Sequence, residues 1–190
     1  GTMFRPLAIR TVRWRPLDGA GLEHLTLEPQ PDGIRATSVV IGTCEGRPFG
    51  ARYRVDCAAD WTVRAFEVET TDGRRLAMSS DGKGGWRDAD GVPRPEYEGC
   101  IDIDLSASPF TNTLPIRRLG LRRATGTVRL DMVYVPFDTL DPFLDGQNYT
   151  AIEDGRLYRY EAADGSFRAD LPLDEDGLVL DYPSLFARVS

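Results

Sequence analysis

The sequence has few cysteines, a single histidine, a single lysine and no long apolar run. Cys44, Cys57 and Cys100 include no CxxC spacing, so we expect free thiols in a reducing cytoplasm instead of a disulfide framework. No apolar stretch approaches the roughly 18 residues that cross a bilayer. An ordinary zinc site needs more histidines or a paired cysteine motif than this chain contains. These features predict a cytoplasmic protein without metal or cofactor.

The composition is that of a folded domain with an acidic surface. The 190 residues carry a net charge of −7, which argues against nucleic acid because phosphate binding needs an excess of Lys and Arg. A hydrophobic fraction of 41% is enough to form a core. We therefore expect one domain over residues 1–190, with Gly1 and Thr2, ahead of Met3, interpreted as residues left from expression.

The dipeptide Asp-Gly recurs nine times along the chain. Asp-Gly suits tight hairpin turns, and the runs between these turns alternate between apolar and polar residues. The alternation shifts by one residue near Ala65, which predicts a β-bulge there. The sequence therefore predicts a mainly antiparallel, all-β fold. The predicted strands are 11–17, 22–28, 34–44, 49–57, 61–71, 74–80, 84–87, 100–105, 127–137, 157–162, 167–171 and 178–182.

One short helix is predicted in the segment that follows the strand 100–105. Proline is favoured in the first turn of a helix, so we expect the helix to begin at Pro115 and to run to about Arg122. Ile116 and Leu119 are three residues apart and would share a buried stripe. A second, weaker helix candidate covers residues 183–187.

The segment from Gly99 to Leu121 also brings charged residues together. Asp102 and Asp104 fall on one face of a strand, and Arg117 and Arg118 lie in the predicted helix. Buried charges are costly unless they are paired, so we predict an Asp–Arg network that anchors the helix. A ligand headgroup site and a catalytic site built from the same residues are the alternatives.

His24 follows Glu23 on a strand, so the two side chains face opposite ways and cannot act together directly. No GxSxG nucleophile elbow accompanies this histidine, and we predict a structural role, with a site role beside Thr26 as the alternative. Aromatic side chains such as Trp14 either fill the core of a curved sheet or stack on a ligand. No catalytic or metal-binding residue is predicted. The candidate ligand-binding residues are His24, Asp102, Asp104, Asn112, Arg117, Arg118, Trp14, Trp61 and Tyr158.

Several motifs spread over nearly the whole chain match one bacterial family. They are Trp14 to Glu23-His24, Tyr53-Arg54-Val55-Asp56 with Trp61, Gly99-Cys100 with Asp102 and Asp104, residues 111–118, Gln147-Asn148-Tyr149, Tyr158-Arg159-Tyr160, and Gly177-Leu178-Val179 with Asp181-Tyr182-Pro183. With these residues the chain resembles the family described as "putative glycolipid-binding".

The resemblance implies a spiral β-roll, in which one long curved sheet forms a half-open barrel around a single short helix, and it implies a homodimer. It also implies that the protein binds a glycolipid or similar small amphiphile without catalysis. Two other functions remain open. One is a hydrolase that uses Asp102, Asp104 or His24 with Arg117 or Arg118. The other is a protein-interaction module with an exposed strand edge or apolar face.

Overall fold

The computed structural model describes residues 3–190, so the interpretation of Gly1 and Thr2 lies outside it. Within that range the chain forms fourteen strands, one α-helix and three 3₁₀ turns. The strands are β1 (Arg10–Pro16), β2 (Leu22–Gln30), β3 (Gly33–Cys44), β4 (Arg47–Ala58), β5 (Val63–Thr70), β6 (Arg75–Ser80), β7 (Trp86–Asp88), β8 (Asp102–Leu105), β9 (Thr127–Val135), β10 (Phe143–Glu153), β11 (Leu157–Ala162), β12 (Arg168–Pro172), β13 (Asp181–Tyr182) and β14 (Phe186–Arg188). The helix α1 is Thr113–Leu119, and the 3₁₀ turns are Pro95–Tyr97, Pro109–Asn112 and Arg123–Thr125.

The strands form two sheets that are antiparallel except for one pair. A nine-stranded sheet has the order β13-β14-β1-β2-β3-β4-β5-β6-β7, and a five-stranded sheet has the order β12-β11-β10-β9-β8. Only β8 and β9 pair in parallel within the described residues. The chain leaves the large sheet after β7 and returns at its end, where β14 pairs with β1. The predicted mainly antiparallel all-β class, with a curled half-barrel sheet and one short helix, is confirmed.

The helix lies where the cores of the two sheets meet. Leu114 belongs to the larger buried cluster, together with Trp14 and Tyr53 of the nine-stranded sheet. Ile116, two residues further on, belongs to a second cluster with Tyr149 of the five-stranded sheet. Burial of each such side chain stabilises the fold by roughly 1.5–3 kcal/mol. One turn of helix therefore connects two separate apolar cores.

The helix begins two residues earlier than predicted. The 3₁₀ turn Pro109–Asn112 leads directly into Thr113. Pro115 still lies in the first turn of the helix, where backbone N–H groups have no partner within the helix, so proline loses no hydrogen bond there. Leu119 was expected in the core but is 38% exposed. The helix stops at Gly120 with φ of 56°, and the buried apolar position passes to Leu121, whose amide donates to the Ile116 carbonyl.

Two further features of the strand prediction were tested by the register. The bulge near Ala65 is confirmed, because the β4–β5 pairing shifts between Asp56 and Cys57. The strand β10 was not predicted, because Asp145-Gly146 suggested a turn. Gly146 is instead paired with Asp131 of β9 inside a regular strand.

The helix candidate at residues 183–187 is wrong. Ser184 has a φ of 67°, and this left-handed residue turns the chain between β13 and β14. Tyr182 then pairs with Phe186, so Phe186 is the first residue of β14, which lies between β13 and β1 in the sheet. A two-strand hairpin satisfies the backbone here by pairing with β1, which a short isolated helix could not do.

Two glycines with nearly equal φ angles provide a matched test of backbone packing. Gly84 has a φ of 94°, and a Cβ on it would lie 2.6 Å from the backbone nitrogen of Gly99. Gly73 has a φ of 92°, and a Cβ there would meet nothing within 4 Å. We expect Gly84→Ala to lower the free energy of unfolding by about 2 kcal/mol more than Gly73→Ala, since only the first adds a backbone clash to the strain. Urea unfolding of both variants checks this, and equal losses would contradict it.

Candidate functional site

A cleft of about 600 Å³ opens between the inner face of the nine-stranded sheet and the chain that follows β8. Its volume lies within the roughly 300–1,000 Å³ that is usual for small-molecule sites. The walls are largely apolar and come from five separate parts of the chain. The lining residues are Trp14, Pro16, Asp18, Gly19, Leu22, Glu23, Val40, Ile41, Gly42, Thr43, Cys44, Glu45, Gly46, Phe49, Ser106, Ala107, Tyr134, Ser184, Leu185 and Phe186.

The strand register brings three of these residues into one row. Trp14 of β1 pairs with Glu23 of β2, and Glu23 pairs with Val40 of β3. Residues that pair in register point to the same face of a sheet, and this row points inward because all three side chains are buried. A carboxyl therefore lies between an indole and a valine on the concave side.

Glu23 is 2% exposed and is the charged residue of the cleft wall that is buried. Its Oε2 accepts hydrogen bonds from Ser38 Oγ at 2.7 Å and from the Tyr53 hydroxyl at 2.6 Å. The Tyr53 hydroxyl also lies 3.1 Å from Ser108 Oγ. Within residues 3–190 the second oxygen, Oε1, has no hydrogen-bond partner. Such an unsatisfied buried acceptor is costly in a folded protein, and this one belongs to a residue that lines the cleft.

Burial dominates the electrostatics of this group. It raises the pKa of Glu23 to about 7, even though hydrogen bonds from Tyr53, Ser108 and Ser38 act to lower it. Burial, together with the adjacent Glu23, also raises the pKa of Tyr53 well above its usual value. The carboxyl can therefore exchange a proton near neutral pH, while the phenol keeps its own.

The mouth of the cleft combines carboxylates with exposed apolar side chains. Asp18 and Glu45 are exposed and lie in the turns that follow β1 and β3. Leu22 is 37% exposed, Ile41 58% and Leu185 40%. The apolar surface of the walls thus continues outward onto the rim.

A second buried polar cluster lies behind one wall. Asp104 Oδ2 accepts from Gln147 Nε2 at 2.7 Å, and the same amide donates to Asp145 Oδ2 at 2.9 Å. Burial raises the pKa of Asp104 to about 6. Asp104 pairs in register with Tyr134, which lines the cleft. The predicted residue Asp104 is therefore next to the cleft but does not line it.

The predicted Asp–Arg network is present for one of its two pairs. Arg118 donates to both oxygens of Asp102, from Nε at 3.2 Å and from Nη2 at 2.7 Å. The Asp102 side chain is 1% exposed, so this bidentate pair is an internal anchor of the helix to β8. Asp104 does not join the network, because its partner is Gln147.

Arg117 has a different environment from its neighbour. Its guanidinium lies 5.1 Å from the centroid of the Phe4 ring and 4.7 Å from that of Trp61. Its Nη1 donates to the Asp176 carbonyl at 2.8 Å. Burial lowers the pKa of Arg117, and the two rings supply the cation–π contacts that offset part of that desolvation. Arg117 thus connects the helix to Phe4, to Trp61 and to the loop that contains Asp176.

The remaining candidates are spread through the molecule. His24 is exposed on the opposite face from Glu23, as predicted, and its Nδ1 accepts from Arg13 Nε at 3.0 Å. Asn112 donates to the Tyr149 hydroxyl at 3.0 Å, and the Tyr158 hydroxyl donates to the Leu121 carbonyl at 2.9 Å. Of the nine candidate residues only Trp14 lines the cleft. The other eight residues do not line this cleft, and their ligand-binding role stays a prediction.

The sequence does contain a signal that singles out Glu23. The predicted strand 22–28 places Leu25 and Leu27 on the inner face, and Glu23 falls on that same face. A carboxylate on the apolar side of a strand is unusual unless it is paired or functional. Ser38 and Tyr53 had no such signal, because their contact with Glu23 depends on the register of three strands.

Two general findings concern residues 3–190. No three His, Cys, Asp or Glu side chains in that range are grouped so that they could hold a metal ion. Among the described residues, no helix combines the length and the apolar character needed to cross a membrane.

These features define a class of protein: an all-β fold in which a curled sheet carries an open, mainly apolar cleft with a buried carboxyl at its inner end. A family model described as "Putative glycolipid-binding" matches residues 11–188, and the chain belongs to this family. The chain is also similar to the crystal structure of a DUF1089 family protein from Pseudomonas aeruginosa, with 41% identity and a TM-score of 0.79. That match covers 90% of this chain and 93% of the other. Among curated proteins no sequence matches.

Proposed function

We propose that this protein binds one small amphiphile of glycolipid type in the cleft, without chemical change to it. The observation that carries the proposal is a mainly apolar cleft of about 600 Å³ lined by Glu23, a buried carboxyl with one oxygen that has no partner within residues 3–190. A polar group of the ligand satisfies Glu23 Oε1, and an apolar chain lies along the walls. The description of the family supports the same class of ligand.

The walls suit a single chain. Val40 and Phe49 line the interior, and Ile41 and Leu185 extend the apolar surface to the rim. Contact with such side chains is favourable by about 25 cal/mol for each Å² of apolar area removed from water. A volume of 600 Å³ is suited to a ligand of drug size and not to a lipid with several long chains.

The hydrolase alternative is not supported by proximity of its residues. Asp102 is bound by Arg118, Asp104 is bound by Gln147, and His24 is on the outer face with Arg13. No two of these groups share the cleft. The cytoplasmic location and the homodimer stay predictions.

Octyl glucoside, used below its micelle concentration, is a suitable first probe because it joins a neutral sugar to one short chain. The protein has three tryptophans, and of these only Trp14 lines the cleft. Three indole N–H signals are therefore expected in a ¹⁵N-correlated NMR spectrum. We expect the Trp14 signal to shift saturably with octyl glucoside, while the signals of Trp61 and Trp86 serve as internal controls.

Two variants separate binding in the cleft from surface adsorption. Ala107→Phe places a ring in the cleft and is expected to weaken octyl glucoside binding at least tenfold, since it occupies the space of the chain. Ala89→Phe adds the same ring at an exposed turn outside the cleft and is expected to leave the affinity unchanged. Absence of a saturable Trp14 shift, or equal affinity in both variants, would overturn the proposal.

A further inference from the structure

The charged groups that line the cleft are all acidic. Asp18, Glu23 and Glu45 are in its walls, and none of the lining residues is Lys, Arg or His. Arg188 does not line the cleft, but its guanidinium lies 5.4 Å from the centroid of the Trp14 ring, where it donates to Asp174 and to the Val179 carbonyl. A cleft with this charge distribution repels anions and attracts cations.

The buried carboxyl gives this charge preference a defined position. Glu23 Oε2 is already used by Ser38 and Tyr53, at 2.7 and 2.6 Å. Oε1 has no partner among the residues that the structure describes, and Glu23 as a whole is 2% exposed. A ligand N–H donor at Oε1 would satisfy the last acceptor of this group. If the donor is charged, the hydrogen bond is roughly twice as strong as a neutral one.

Aromatic rings line the same space. Trp14, Phe49, Tyr134 and Phe186 are all in the walls. The faces of such rings attract ammonium groups, and sites that combine several rings with a carboxylate are typical of cation recognition. Neutral sugars also stack on aromatic rings and donate hydroxyl hydrogen bonds to carboxylates, but only a cationic group gains in addition from the acidic charge of the walls.

We propose that the ligand of this cleft carries an amine, whose ammonium group donates to Glu23 Oε1 while the apolar chain runs outward along the walls. This inference rests on the proposed function, because it places the same amphiphile in the same cleft, and it adds the charge of the polar group. Anionic amphiphiles such as fatty acids are excluded by the same argument, since their carboxylate would meet Glu23 without a cation between them.

The experiment compares three probes that share one chain: octylamine, octan-1-ol and octanoate. Calorimetric titration of the unmodified protein is expected to give octylamine an affinity at least tenfold above that of octan-1-ol, with octanoate weaker than the alcohol. Glu23→Gln is expected to remove the advantage of the amine and to leave the alcohol within about twofold. Glu98→Gln removes one exposed carboxylate outside the cleft and serves as the matched control.

The outcomes separate this inference from the proposed function. Equal affinities for octylamine and octan-1-ol would overturn the amine inference while leaving amphiphile binding intact. Failure of all three probes and of octyl glucoside would overturn both. The comparison of probes on the unmodified protein needs no variant, so it decides the question even if Glu23→Gln does not fold. An amine advantage that persists in a folded Glu23→Gln protein would contradict the assigned position.

Discussion

Arg118→Met is expected to lower the free energy of unfolding by about 3–5 kcal/mol, because it leaves a buried carboxylate without its partner. Asp102 is 1% exposed, and the two N–H groups of Arg118 reach its two oxygens at 3.2 and 2.7 Å. Burial raises the pKa of Asp102, and the neighbouring guanidinium acts to lower it. Without the Arg118 guanidinium, the buried Asp102 carboxylate keeps the cost of desolvation and loses the attraction that offsets it. Guanidinium chloride unfolding of the variant and the parent protein measures the loss.

Two further variants test whether the unpaired charge is the cause. Arg129→Met removes an arginine from an ion pair with Asp131 in which the side chains are 63% and 53% exposed, and we expect it to cost less than about 1 kcal/mol. The double variant Asp102→Asn with Arg118→Met is expected to recover a large part of the loss, since no buried charge remains. A loss below about 1 kcal/mol in Arg118→Met would show that Asp102 is solvated or neutral.

The sequence predicted those parts of the fold that depend on local pattern. Alternation located most strands, and the phase change at Ala65 identified the bulge opposite β4. Local pattern gave the wrong prediction where the same residues are compatible with two structures. Asp145-Gly146 has the composition of a turn, but its neighbours on β9 hold it in a strand. Pro115 is compatible with several positions in the first turn, so it could not fix the start of the helix.

The cleft could not be predicted in the same way, because its walls are assembled by long-range contacts. Trp14 and Phe186 are brought to one cavity by the pairing of β1 with β14 at opposite ends of the chain. Tyr134 comes from β9 of the other sheet, and Ser106 directly follows β8. Periodicity assigns each residue to a face, and Glu23 to the inner one, but it does not say which strands will enclose a space.

Residues from separate family motifs contact one another in the structure. The segments Trp14 to Glu23-His24 and Tyr53 to Asp56 both carry the family resemblance although they are far apart in sequence. In the structure Trp14 and Glu23 are register partners, and the Tyr53 hydroxyl donates to Glu23. The resemblance thus depended in part on the residues that build the inner end of the cleft, while the predicted site residues came from the Asp–Arg segment.

The buried Glu23 also makes the stability of the protein depend on pH in a predictable direction. Its pKa is raised from the ordinary value of 4.5 to about 7, so the folded protein keeps a proton that the unfolded chain releases in this interval. The free energy of unfolding contributed by this group therefore falls as the pH rises through that interval, and the cost is complete above pH 7. Glu23→Gln cannot ionise and avoids this cost.

We therefore expect the stability of Glu23→Gln relative to the parent protein to increase by about 3 kcal/mol between about pH 4.5 and pH 8 and to level off beyond. Urea unfolding at a series of pH values measures the difference. Asp104, whose pKa is raised to about 6, titrates in both proteins and cancels. Tyr53 does not interfere, because its pKa is raised well above its usual value. Glu98→Gln, at an exposed position, should show no such pH dependence. A difference between Glu23→Gln and the parent that is constant with pH would mean that water reaches the Glu23 carboxylate, and the inner end of the cleft would then need no donor from a ligand.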